Sequence, residues 1–211
     1  MGKAESSFQL RDTVGTPKEV YEPIVACLGP IGLDPCSHPG SLVPAAVRYY
    51  LPEYVPAGTP ASVPLRVEAQ GEVPGHMAIV GDGLSLPWGP GLGLVYVNPP
   101  YSQLAEHPWL LRGLPDAAGL AAPAKGARKR TTAEPAMPDE VLWFLPVRTA
   151  GSWWQRDLLA VADVVTFLRF RVKHTGEQNP SPFHQALAYR GPRAERWAAF
   201  ASAELGWTVT L

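Results

Sequence analysis

Leu94-Val95-Tyr96-Val97-Asn98-Pro99-Pro100-Tyr101-Ser102 reads as a buried strand that runs straight into a rigid, aromatic-tipped turn. Its four apolar or β-branched residues favour an extended segment covered on both faces. Asn98 stands at the strand's carboxyl end. Pro99 and Pro100 lack the backbone donor that a central ladder needs, so pairing stops there. Each proline fixes its own φ, and Pro100 pushes Pro99 toward extended geometry. The turn therefore holds a side-chain amide, a backbone carbonyl and an aromatic ring in fixed relation. Those groups suit an amino group on a planar ring. The Asn98 side-chain oxygen and the Pro99 carbonyl can each accept one hydrogen of an exocyclic NH2. Two acceptors tilt the nitrogen toward tetrahedral geometry and expose its lone pair. Tyr101 offers a face for the ring, worth ~1–3 kcal/mol per stacked base. A plainer reading, a strand ending in a proline turn, stands beside this one, because Asn-Pro is a common turn opener.

Outward from this stretch, apolar runs alternate with helical patterns. Thr16-Pro17-Lys18-Glu19 opens a helix, with Thr16 as N-cap and Pro17 at the first helical position. Val20, Ile24, Val25 and Leu28 form its apolar face, and Gly29-Pro30 stops it. Ile31-Gly32-Leu33 is a short strand that delivers Asp34-Pro35-Cys36-Ser37. Met77 to Val80 is another, followed by Gly81-Asp82-Gly83. In an α/β sheet, an acidic residue at a strand's carboxyl end is where a nucleotide-like ligand is expected. Asp is also a turn former, so both positions carry that second meaning. Residues 41–76 read as a long, irregular connection with a short helix near Pro44 to Tyr50. Further strands are expected at Val141 to Pro146, Asp163 to Leu168, Gln185 to Tyr189 and Trp207 to Leu211. Helices are expected from Ser102 to Arg112, from Thr149 through Trp153 and Trp154, and from Arg193 to Ala203. This alternation predicts an α/β fold whose mostly parallel central sheet is flanked by helices.

The chain has 211 residues and is 46% hydrophobic, enough for one sizeable core. Residues 1–15 read as a flexible arm and 16–211 as a single domain. Residues 113–139, rich in Gly, Ala and Pro, read as an insertion loop. The formal net charge is −1, so any surface for a polyanion has to be local. Lys125, Arg128, Lys129 and Arg130 supply one candidate, as phosphate contacts or as an ordinary solvated loop. Arg169, Arg171 and Lys173 form a second basic cluster. Two cysteines, Cys27 and Cys36, make neither a disulfide framework nor a zinc pattern, which fits a reducing cytoplasm. The five histidines lack ligand spacing, so no metal is expected. No apolar run is long enough for a membrane span. Pro35-Cys36 also resembles the nucleophile of cytosine-ring methyltransferases, but no base for the thiol is recognisable nearby.

Asn98-Pro99-Pro100-Tyr101 looks like the catalytic motif of amino-methyltransferases that use S-adenosylmethionine. Other matching stretches are Thr16-Pro17, Leu33-Asp34-Pro35-Cys36, Asp82-Gly83-Leu84 with Trp88, Leu145-Pro146 with Trp153-Trp154, Arg171, and Ser181-Pro182-Phe183. Together they make the chain resemble the phage-type DNA N-6-adenine methyltransferase (Dam) family over roughly residues 16–190. The resemblance implies a Rossmann-like methyltransferase fold, S-adenosylmethionine as cofactor and DNA as partner. The implied reaction is methylation of the exocyclic N6 amino group of an adenine flipped out of the duplex. The resemblance makes Asn98, Pro99, Pro100 and Tyr101 catalytic. It gives Thr16, Pro17, Asp34, Cys36 and Asp82 to the cofactor. An arginine matching Arg171 recurs in the family and joins Lys125, Arg128, Lys129 and Arg130 as a candidate for DNA contact. The usual glycine-rich loop after the first strand is missing here, although Gly40 follows nearby. The same acceptor geometry would also serve methylation of a protein glutamine or an RNA base, and a catalytically silent DNA-binding relative would keep parts of the pattern.

Overall fold

All four residues of the central run are buried, as a segment covered on both faces requires. The run forms strand β5 (Leu94–Val97) in the computed structural model, which describes residues 15–89, 91–101, 109–110 and 138–211. β5 lies between β1 (Ile31–Ser37) and β6 (Glu140–Pro146), parallel to both. Beyond β1 the sheet continues through β2 (Ala45–Tyr50), β4 (His76–Val80) and β3 (Pro64–Val67). Beyond β6 it continues through β8 (Gln185–Arg190), β7 (Val164–Leu168) and β9 (Gly206–Thr210). Two α-helices lie wholly among the described residues, α1 (Lys18–Leu28) and α2 (Ala194–Glu204); Trp109 and Leu110 are also helical, and a wide helical turn spans Trp154–Leu158.

The expected Rossmann-like, mostly parallel sheet flanked by helices is not what forms. β1–β2, β1–β5, β2–β4 and β5–β6 are parallel, but β3–β4, β6–β8, β7–β8 and β7–β9 are antiparallel. The result is a nine-stranded mixed sheet with few helices. Two local readings account for the difference. Residues 45–50, expected to hold a short helix, form β2, where Val47, Tyr49 and Tyr50 suit a pleated surface between two neighbours. The link from β7 to β8 carries prolines and polar residues with no helical period, and the two strands pair antiparallel without a crossover helix. A buried apolar run announces a strand but says nothing about the direction of its neighbours.

Alternation along each strand sends side chains to opposite faces. Leu94, Tyr96, Leu142, Phe144, Leu187 and Tyr189 point to one face, where α1 and α2 pack through Val20, Ile24, Leu28, Trp197 and Ala201. Val95, Val97, Val141, Trp143 and Leu145 point to the other, against Trp88, Trp109, Trp153 and Trp154. Glu140 anchors the far end of β6. It accepts hydrogen bonds from the Tyr189 hydroxyl and from Arg193, whose guanidinium also donates to the Leu28 carbonyl at the end of α1. Among the described residues no helix is long and apolar enough to cross a membrane.

Candidate active site

The parallel strands β1, β5 and β6 point their carboxyl ends at one edge of the sheet, and the chemistry-bearing residues collect there. Asn98, Pro100 and Tyr101 are half-buried at the end of β5, and Pro99 is buried. β1 keeps pairing as far as Ser37, but its register against β2 shifts between Asp34 and Ser37, where Pro35 has no donor to give. A cleft of about 270 Å3, its open mouth included, is lined by Thr16, Asp34, Cys36, His38, Ser41 and Asn98, together with Gly15.

Thr16 does not cap α1. Pro17 occupies the cap position without a side-chain hydrogen bond. The Thr16 hydroxyl instead lies 2.8 Å from the Tyr96 hydroxyl and accepts from Asn98 Nδ2 at 3.3 Å. That orientation commits the amide nitrogen to Thr16 and makes the oxygen the acceptor end. Tyr96 is fully buried and its phenol is pushed well above the ordinary range by burial, so it keeps its proton. Its part was not signalled by the sequence, where it reads only as one strand residue among four.

Asp34 is 3% exposed. Burial pushes its carboxyl up to about 6, while the Cys36 N–H, the nearby Ser37 hydroxyl and Arg48 pull the other way. The Cys36 N–H donates to Oδ1 at 3.1 Å. Arg48 is paired with Asp34 in register across β1 and β2, but its guanidinium donates to the Ser41 carbonyl at 2.8 Å and the Val43 carbonyl at 2.6 Å. Among the described residues no ion pair reaches Asp34. Burial, helped by the fields of Asp34 and Asp82, raises the Cys36 thiol well above its ordinary value. A thiol held protonated is no nucleophile, so the cytosine-type reading of Pro35-Cys36 has no chemical footing. His38 is held neutral by burial and by Arg48. Its Nε2 is buried without a hydrogen-bond partner among the described residues.

Asp82 stands on the same edge but is exposed. Its two carboxylate oxygens accept from the Leu84 N–H at 3.0 Å and the Ser85 hydroxyl at 2.8 Å, so it shapes its own turn. The turn presses against β1: a Cβ on Gly83 would come within 1.9 Å of the Pro35 carbonyl oxygen, which only glycine allows.

Behind Tyr101 stands a wall that the spacing of residues did not announce. The Tyr101 ring meets His174 edge-on, with centroids 6.2 Å apart. Burial lowers the His174 pKa, and its neutral ring lies 3.2 Å from the Gln185 amide nitrogen. Burial raises the Tyr101 phenol, with the Gln185 amide pulling against it. The next residue, Thr175, donates its N–H to the Gly15 carbonyl at 2.9 Å, which brings the chain before α1 into the site. Arg171 is exposed, and its Nη1 donates to the carbonyls of Ser181 at 3.2 Å and Pro182 at 3.1 Å. The basic run Lys125, Arg128, Lys129 and Arg130 and most of the expected 113–139 loop lie outside the described residues, as do residues 1–14 of the expected arm. Among the described residues no three His, Cys, Asp or Glu side chains gather as a metal site. No family model, no curated protein and no solved structure matches the chain.

Proposed function

We propose that this chain transfers a methyl group from S-adenosylmethionine to the exocyclic N6 amino group of adenine in DNA. The observation that carries the reading is a juxtaposition: Asn98, the first residue of the Asn-Pro-Pro-Tyr turn, lines the same cleft as the buried carboxylate of Asp34, which no ion pair reaches among the described residues. The donor set fits the cofactor's chemistry. Asp34 would accept from the hydroxyls of a ribose or face a positive charge, and either would repay the cost of burying it. Thr16, His38 and Ser41 add polar groups around it.

When bound, the cofactor supplies a methyl group activated on a sulfonium. The chain's own residues then have to position and polarise the acceptor. Asn98 Oδ1 and the Pro99 carbonyl accept the two amine hydrogens and turn the nitrogen lone pair toward the cleft. Tyr101 stacks on the base and offsets part of the few kcal/mol spent in flipping it. Correct orientation alone can supply ~7–11 kcal/mol of the barrier. The phenols of Tyr96 and Tyr101 and the Cys36 thiol stay protonated near neutral pH and take no proton; the excess amine proton can leave to water. On this reading the protein works in the cytoplasm of a bacterial or phage-infected cell.

The test is mass-spectrometric nucleoside analysis of DNA incubated with the protein and S-adenosylmethionine, with RNA and a glutamine-containing peptide as parallel acceptors. N6-methyladenine in the DNA digest is the expected product. Methylation confined to RNA or to the peptide would move the substrate class, and none on any acceptor would sink the reading.

A further inference from the structure

The link between β7 and β8 carries an aromatic ring that the fold holds out rather than in. Phe183 is 43% exposed. It is not loosely attached. Arg171 donates to the carbonyls of Ser181 and Pro182, the Ser181 N–H donates to the Val172 carbonyl at 2.8 Å, and the Phe183 N–H donates to the Ser181 hydroxyl at 3.2 Å. On its other side, Val147 N–H donates to the His184 carbonyl at 2.7 Å. The Arg148 guanidinium lies over the Phe183 ring, 5.0 Å from its centroid. A lone exposed aromatic is ordinary on a protein surface; Phe183 stands apart because its backbone is pinned on both sides and a guanidinium covers its ring.

Position and charge indicate what occupies it. Phe183 is two residues from Gln185, which stands with His174 behind Tyr101, so the ring belongs to the same edge as the Asn98 turn. Arg148 lies on the ring and Arg171 donates to the Pro182 carbonyl next to it; both are exposed, as is Lys173 in the same link, and Glu177 is the only acidic residue in the 169–184 link. An aromatic face with a guanidinium on it, in a basic surround, is what single-stranded nucleic acid binds: bases stack on the ring and phosphates meet the cations.

We propose that Phe183, backed by Arg148, is a stacking platform for an unpaired DNA base beside the adenine taken up at Asn98 and Tyr101, with Arg171 and Lys173 supplying charge for the adjoining phosphates. The proposal rests on the part of the proposed function that makes DNA the bound partner. The flipped nucleotide leaves its neighbours without a stacking partner on one side, and Phe183 restores one.

The experiment compares two fluorescently labelled 24-nucleotide probes by anisotropy, one of mixed sequence and one abasic strand of equal charge. The full chain, Phe183→Ala and Phe183→Trp are titrated with each. Phe183→Ala should weaken binding of the mixed-sequence strand ~5- to ~150-fold, the range set by one stacked base. It should leave the abasic strand within about twofold, with thermal unfolding near the parent's because the ring is exposed. Phe183→Trp should restore binding. An equal loss on both strands, or no loss on either, overturns the proposal. If the parent binds and Phe183→Ala discriminates as expected but no N6-methyladenine forms on any DNA, the methyl-transfer reading fails and the platform stands. If the parent methylates DNA and Phe183→Ala binds and methylates like it, the platform alone fails. If the parent binds neither strand, the platform falls, and the methyl-transfer reading is decided by the nucleoside analysis alone.

Discussion

Replacing Asp34 with Asn separates what the site costs the fold from what it does for the ligand. Asp34 is 3% exposed and its carboxyl is raised from 3.8 to about 6, chiefly by burial. One pKa unit corresponds to ~1.36 kcal/mol, so about two units amount to about 3 kcal/mol. The sign follows from proton binding. The folded state holds this proton more tightly than the unfolded chain does, so the carboxyl costs nothing below the unfolded value. It destabilises progressively as pH rises toward 6, and fully above that. Asn keeps an oxygen for the Cys36 N–H but brings a buried NH2 whose desolvation gives back ~1–3 kcal/mol at every pH. The absolute stability of Asp34→Asn is therefore a difference of similar terms, but its pH dependence is not. The stability difference between variant and parent should swing by about 2–3 kcal/mol in the variant's favour from pH 4 to pH 7.5, read by urea unfolding at both. Under the proposed function the same variant should lose cofactor affinity by calorimetry. The parent's affinity should fall about tenfold per unit below pH 6 while the variant's stays flat. A stability difference that is the same at both pH values would refute the burial argument. Parental affinity in the variant would remove Asp34 from the ligand.

Asn98→Ala removes one of two acceptors for the amine, and should cut methyl transfer by roughly 100-fold or more, the scale of a lost preorganised polar contact. Its cofactor affinity by calorimetry should stay near the parent's; equal methylation rates would end the proposed role. Glu140→Ala leaves Arg193 and the Tyr189 hydroxyl without their common acceptor and should cost about 3 kcal/mol in urea unfolding, the low end for a broken buried pair because Arg193 is partly exposed. Burial pushes the Glu140 carboxyl up, but the Arg193 and Tyr189 hydrogen bonds hold it below its ordinary value. Its contribution is therefore present above the unfolded-state pKa of 4.5 and lost as pH falls through the folded value. Neutralising Lys125, Arg128, Lys129 and Arg130 together should weaken DNA binding and flatten its salt dependence at unchanged cofactor affinity. A salt slope equal to the parent's would shift the phosphate contacts to Arg148, Arg171 and Lys173.

Strand positions were readable because a four-residue apolar run bounded by Pro, Gly or Asp leaves few alternatives; β5, β6, β7 and β8 fall within a residue or so of their expected limits. Strand direction was not readable, since burial on both faces looks the same whichever way a neighbour runs. β2 was missed because the prolines around it mimic a loop. Asp34 and Asn98 come together because Asp34 follows the last β1 residue paired with β5 and Asn98 follows the end of β5, although β1 itself runs on to Ser37 rather than stopping at Leu33 as expected. The partners of those residues escaped for the opposite reason. Thr16 has a good capping signature, and only the proximity of Tyr96, eighty residues away, diverts its hydroxyl. His174 and Gln185 meet because two antiparallel strands bring their connecting link back over Tyr101, and no spacing rule encodes that.

The place of β8 between β6 and β7 governs the order in which the chain can be assembled. Among the described residues β7 pairs only with β8 and β9, and both follow it in the sequence. While the chain is being made, β6 therefore shows a bare ladder edge and β7 has nothing to pair with until Gln185–Arg190 emerges. The same late strand begins with Gln185, so the wall behind Tyr101 and the closure of the sheet are completed in one insertion step. A chain stopped before residue 185 would keep most of its apolar strands, lack that wall, and offer the β6 edge to any other extended segment in reach.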